Sequence, residues 1–131
     1  AIDLLLEPRA LRRRTGDGLW LRIVDVARAI EARGYEPDVE GALVIGVQDD
    51  LCPWNDGSYR VTVEGGRAVV RPVRAKPQVT IPVGALASLY SGFRSATALT
   101  RAGRADGSPR ALRIADRLFA TAYRPHVMEM F

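Results

Sequence analysis

Few residues in this 131-residue chain are of types that carry covalent or metal chemistry. His126 is its only histidine and Cys52 its only cysteine. A structural zinc site needs four converging ligands, and no spacing of one His and one Cys closes one, so no metal centre is expected. A Ser-His-Asp arrangement would have to use His126, near the chain end, and no nucleophile-elbow pattern accompanies it. Cys52 has no neighbouring group in sequence that would depress its pKa, and reads as a small buried apolar residue. Asp49-Asp50 is a carboxylate pair at the end of an apolar run, and its simplest reading is a solvated turn. Gly65-Gly66 precedes strand-like alternation rather than a helix, which makes it a hairpin turn and not a phosphate cradle. The remaining candidate is the tail, Tyr123–Phe131. Chain ends are usually polar and fray, yet this one runs Val127-Met128-Glu129-Met130-Phe131. Burying Phe131 would contribute roughly 2 kcal/mol. It would also draw the α-carboxylate into a less polar site, where the charge needs a partner or a role.

The elements that must position such a tail are legible from periodicity. Tyr59, Val61 and Val63 alternate with Arg60, Thr62 and Glu64, the period of a strand with one buried and one wet face. Gly65-Gly66 turns the chain, and Arg67–Val73 returns as the partner strand. Further strands are expected around Leu19–Val24, Leu43–Val47 and Val79–Ile81. Asp25 is placed to cap a helix that ends at Gly34. Helices are also expected from Val83 to Ser91, from the Ser95 cap to Gly103, and from Ser108-Pro109 to Ala122. Leu112, Ala115, Leu118, Phe119 and Ala122 form the buried stripe of the last helix. The order predicts an α+β domain: a mainly antiparallel or mixed five-stranded sheet with helices packed mainly on one face. Trp54 is expected to plug the end of the sheet and Trp20 to pack between sheet and helices; the alternative is that both line a ligand cavity.

Length fits one domain, residues 1–131. The first residue is not Met, so a piece of a longer polypeptide is expected. No apolar run approaches the roughly 20 residues that span a bilayer. Leu4-Leu5-Leu6 is too short for a signal-peptide core. Nothing points to export, and a cytoplasmic location is expected. The net charge of +4 raises nucleic acid as a partner, but Arg12-Arg13-Arg14 is the only basic run, and no basic stripe with stacking aromatics accompanies it. No nucleic-acid partner is expected.

Several stretches, taken together, resemble a known family. They are Leu19-Trp20-Leu21-Arg22-Ile23-Val24-Asp25-Val26, Cys52-Pro53-Trp54-Asn55-Asp56-Gly57, Ala87-Ser88-Leu89-Tyr90-Ser91-Gly92, and a chain ending at Phe131. The resemblance covers nearly the whole chain and is to the C-terminal domain of the Eis (enhanced intracellular survival) acetyltransferases. It implies a sterol-carrier-protein-like fold that follows two GNAT-type domains of the same polypeptide, the first of which binds acetyl-CoA. It also implies acetylation of amines such as aminoglycosides and lysine side chains, and a homo-oligomer, commonly a hexamer. By this resemblance Phe131 is catalytic through its α-carboxylate, the general base, and Glu129 helps hold a cationic substrate. The Gly-rich acetyl-CoA loop and the family's general acid are missing from these 131 residues. The chain alone is therefore expected to be inactive. A stand-alone sterol-carrier-like module that binds lipid is the main alternative, and a purely structural oligomerisation domain a third.

Overall fold

The computed structural model describes residues 20–123 and residue 125. Its framework grows from the hairpin that alternation predicts. Strand β2 (Gly57–Glu64) and strand β3 (Arg67–Val73) pair antiparallel around Gly65 and Gly66. Both glycines have positive φ, 55° and 76°, the backbone that a two-residue hairpin demands and that side chains resist. Strand β1 (Gly41–Gln48) lies against the other edge of β2, antiparallel to it and parallel to β4 (Val79–Pro82). A two-residue strand β5 (Asp106–Gly107) pairs antiparallel with β4. The sheet is thus mixed and five-stranded, in the order β3-β2-β1-β4-β5.

Register puts the apolar set on one face. Leu43 sits opposite Val61, Ile45 opposite Tyr59, and Val61 opposite Val70. Helices α1 (Val26–Ala32), α2 (Val83–Tyr90) and α4 (Pro109–Leu118) pack against the sheet, and α3 (Ala96–Arg101) packs on α4. The interior is filled by Leu86, Leu89, Leu99, Leu112, Leu118 and Phe119 together with the strand residues. The caps read from sequence are in place: Asp25, Ser95 and Ser108 each accept a hydrogen bond from the amide three residues on. Glu31 of α1 accepts from the Val70 amide at 2.9 Å, which blocks one outward-facing donor of the β3 edge. The face opposite the helices carries Arg60 directly across from Arg71. Over β1 that face carries the buried Val44, and Pro77 lies so close to position 46 that a side chain there would clash.

Three expectations change. Leu19 lies outside the described residues, and Trp20–Val24 runs without a ladder instead of forming a strand; the fifth strand is Asp106–Gly107. Apolarity on both faces does not identify a strand when no neighbouring edge is available. Trp54 does not plug the sheet and Trp20 does not pack in the core; they are 66% and 87% exposed. Pro53–Asn55 forms a single 3₁₀ turn, whose successive side chains point about 120° apart. The polar Asn55 goes in and the indole goes out. The plug is Tyr59, which is buried and donates to the carbonyls of Trp54 and Asn55. Finally, α4 stops at Leu118, and Ala122 is exposed.

Two glycine substitutions test this packing in opposite directions. A Cβ on Gly46 would lie 2.8 Å from Pro77 Cγ, whereas one on Gly84 in α2 meets nothing within 4 Å. Urea unfolding is expected to show Gly46→Ala losing about 1–3 kcal/mol and Gly84→Ala gaining about 0.5–1 kcal/mol.

Candidate functional site

Phe131, Glu129 and His126, the tail residues weighed from sequence, lie outside the described residues. The structure does describe the root of that tail. Helix α4 is followed by its C-cap Phe119, whose carbonyl accepts from Arg33 Nη2 at 3.0 Å; the Ala120 carbonyl accepts from the same nitrogen at 3.3 Å. Arg33 Nε donates to the Tyr90 carbonyl at 2.9 Å and Nη1 to the Gly34 carbonyl at 3.2 Å. One guanidinium therefore serves the C-terminal ends of α1, α2 and α4, where free carbonyls and helix dipoles favour a cation. Its carbon also lies 4.8 Å from the Tyr35 ring centroid and 5.4 Å from that of Phe119. Tyr35 donates its hydroxyl to the Ile30 carbonyl at 2.8 Å. Burial pushes its pKa up to about 12, with Arg33 opposing, so it is a neutral donor and no base. Beside this root is an open cleft of about 330 Å³ lined by Leu89, Phe93, Arg94, Ser95, Phe119 and Thr121.

A second constellation lies at the opposite end of β1. Asp49 is 5% exposed, which corrects the solvated-turn reading. Its Oδ1 accepts from Arg22 Nη2 at 2.7 Å, from the Cys52 amide at 3.0 Å and from the Leu51 amide at 3.1 Å. Its Oδ2 accepts from Asn55 Nδ2 at 3.0 Å. The Asn55 hydrogen bond first, then the Cys52 amide, Arg22 and the Leu51 amide, hold the carboxyl down to about 2 against the opposing effect of burial. Asn55 also accepts from the Val26 amide and donates to the Val24 carbonyl, both at 3.0 Å. Trp54 Nε1 donates to the same carbonyl at 2.8 Å. Buried Cys52 receives Arg22 Nη2 at 3.4 Å and is a packed thiol in this network. The acid is thus structural: it ties residues 22–26 to the 49–56 loop and holds Trp54 outward.

Among the described residues there is no group of three His, Cys, Asp or Glu side chains that would hold a metal. No helix of the described chain is long and apolar enough to cross a membrane.

The sterol carrier protein domain matches residues 26–128. The chain belongs to that family. Within it, this sterol carrier protein domain is of the Eis type. It is 38% identical over 89 residues to the N-acetyltransferase Eis of Mycobacterium tuberculosis, covering 67% of this chain and 21% of that protein. An uncharacterized N-acetyltransferase of Streptomyces avermitilis is 42% identical over 129 residues, covering 97% of this chain and 30% of that protein. The crystal structure of Eis1 from Mycobacterium abscessus superposes with a TM-score of 0.80 at 38% identity, over 99% of this chain and 32% of that one. The domain therefore spans less than a third of the length of the curated relatives it matches.

The signals missed in the sequence were Arg22, Arg33 and Asn55. Asn55 was visible only as a turn residue, and Arg33 only as the last residue before Gly34. If Asp49 is the hub, its pKa below the unfolded carboxylate range contributes stability present above about pH 4 and lost as pH falls towards 2. Acid titration of unfolding is expected to show that loss in the parent and a flattened dependence in Asp49→Asn. Asn55→Ala, which strands buried partners, is expected to cost about 2–4 kcal/mol. Trp54→Ala, which loses one exposed hydrogen bond, is expected to cost about 1 kcal/mol.

Proposed function

We propose that this chain is the C-terminal part of an N-acetyltransferase that moves acetyl from acetyl-CoA to an amine of the aminoglycoside or lysine type. Acetyl-CoA is bound by the first of two GNAT-type domains outside these 131 residues, and the α-carboxylate of Phe131 is the general base. The observation that carries this reading is the match to N-acetyltransferases along nearly the whole chain, although it makes up only 30% of such a protein.

An acceptor amine is mostly protonated at neutral pH and attacks only as the free base. The carboxylate takes the ammonium proton directly or through one water. The amine then forms a C–N bond to the thioester carbonyl, the C–S bond breaks, and the proton that the nitrogen sheds as the amide forms goes to the departing sulfur, so that CoA leaves as its thiol. A free α-carboxyl with a pKa near 3.5 is a weak base in water. Met128, Met130 and Phe131 around it would desolvate it and raise its basicity. Glu129 adds attraction for a cationic substrate.

Reach permits this. The stretch from Ala120, pinned by Arg33, to Phe131 spans at most roughly 40 Å when extended. The full-length protein is proposed to act as a homo-oligomer, a hexamer by the same likeness. The lipid-module alternative is weaker, because Leu86, Leu89, Leu99, Leu112 and Phe119 fill the layer between helices and sheet that a lipid tunnel would occupy.

In the full-length enzyme, deleting Phe131 or appending residues after it is expected to lower kcat by roughly 10²-fold or more, the scale of a lost general base. The melting temperature should hold. Phe131→Leu keeps the carboxylate and should be milder. Normal turnover with an extended tail would overturn the assignment. Glu129→Gln is expected to raise KM for a polycationic acceptor more than it lowers kcat.

A further inference from the structure

Trp20–Val24 has the composition of a strand and no strand partner. It runs into α1, and among the described residues no backbone N–H or C=O of Trp20–Ile23 is hydrogen-bonded. It is nevertheless held. Ile23 and Val26 are buried in the core, Arg22 is bound to Asp49 at 2.7 Å, and the Val24 carbonyl accepts from both Trp54 and Asn55. Around this fixed stretch the large apolar side chains face outward: Trp20 is 87% exposed, Leu51 73%, Trp54 66%, Val24 61% and Leu21 47%. None of the five is charged, and the one cation among them, Arg22, is engaged by Asp49.

A held backbone whose groups are unpaired among the described residues, with apolar flanks, is a template for another strand, and a liability if left open. We infer that Trp20–Val24, with Leu51 and Trp54 beside it, is the docking strand for the acetyltransferase part of the same polypeptide, which pairs an edge strand with it and covers its apolar side chains. The inference rests on the proposed function for the existence of that part. The occupant follows from the match: nearly all of this chain aligns to relatives most of whose length lies outside the alignment. Residues 1–19 lead directly into Trp20, so anything preceding them is tethered at the patch. Covalent attachment raises the effective concentration of such an occupant over one arriving from solution.

The test uses the full-length polypeptide carrying this chain, with acetyl transfer from acetyl-CoA measured alongside. Amide hydrogen exchange at Leu21–Val24 is expected to be slowed about 100-fold or more relative to an unstructured peptide. It should stay slowed on dilution to monomer. A photoreactive benzoylphenylalanine at position 51 should cross-link to residues upstream of Ala1. Val24→Asp with Leu51→Asp should abolish protection at 21–24 and leave β1 and β2 protected; should that pair unfold the domain, Trp54→Ser alone is read the same way. Exchange at the unstructured rate, protection lost on dilution (a second copy of the chain), or cross-links confined to residues 1–19 would overturn the inference. Protection without acetyl transfer would leave the docking strand standing and sink the proposed function; acetyl transfer without protection would do the reverse.

Discussion

The buried carboxylate of Asp49 sets the geometry of one whole end of the domain. A charged group with almost no exposure needs hydrogen-bond donors to replace water, and here two amides and a guanidinium serve Oδ1 and a side-chain amide serves Oδ2. Those donors come from two segments with no ladder between them, so the carboxylate does what a sheet would otherwise do. It fixes the chain's approach to α1 and the exit from β1 relative to each other. Removing one donor is costly because the remaining charge stays buried. The outward Trp54 follows from this arrangement, since Asn55 has taken the inward position.

At the far side of the helical layer, Arg33 plays a comparable part by opposite means. Helix ends leave carbonyls unpaired, and three such ends converge on one cation that is also stacked near Tyr35 and Phe119. Thr121 sits where a Cβ on Gly92 would be, so the chain leaving α4 lies close against the end of α2. The chain therefore leaves α4 from a fixed point, and its direction over the first residues is set by the domain itself.

The repeating parts of the fold were legible in the sequence. Strict alternation and Gly65-Gly66 gave the β2–β3 hairpin with its register, and Asp25, Ser95 and Ser108 announced three helices because capping is a local interaction. Non-local choices were not legible. Trp20–Val24 has strand composition, but strandhood depends on a neighbour that no local pattern encodes. Asp106–Gly107 became a strand through its position beside β4, not through any β-forming residue. Trp54 and Asn55 exchanged their expected places because a single 3₁₀ turn sorts side chains by angle and hydrogen bonding rather than by hydrophobicity. For the candidate site, the apolar tail ending in Phe131 was a sequence signal from the start, whereas the Arg33 anchor beneath it depended on three helix ends meeting in space.

The sheet's connectivity has a consequence for how the chain is made. Five consecutive residues of β1, Leu43–Val47, are buried, yet every strand that flanks β1 lies later in the sequence. During synthesis β1 therefore leaves the ribosome as an uncovered apolar ribbon. Its antiparallel neighbour β2 follows soon, but the parallel neighbour β4 follows β2 and β3, a delay of about 2–7 s at ordinary elongation rates. The covering helix α4 comes later still. Over that interval the early β1–β2–β3 meander has α1 over β3 but lacks the strand that pairs with the β1 edge and the helices α2 and α4 that complete the cover of its face.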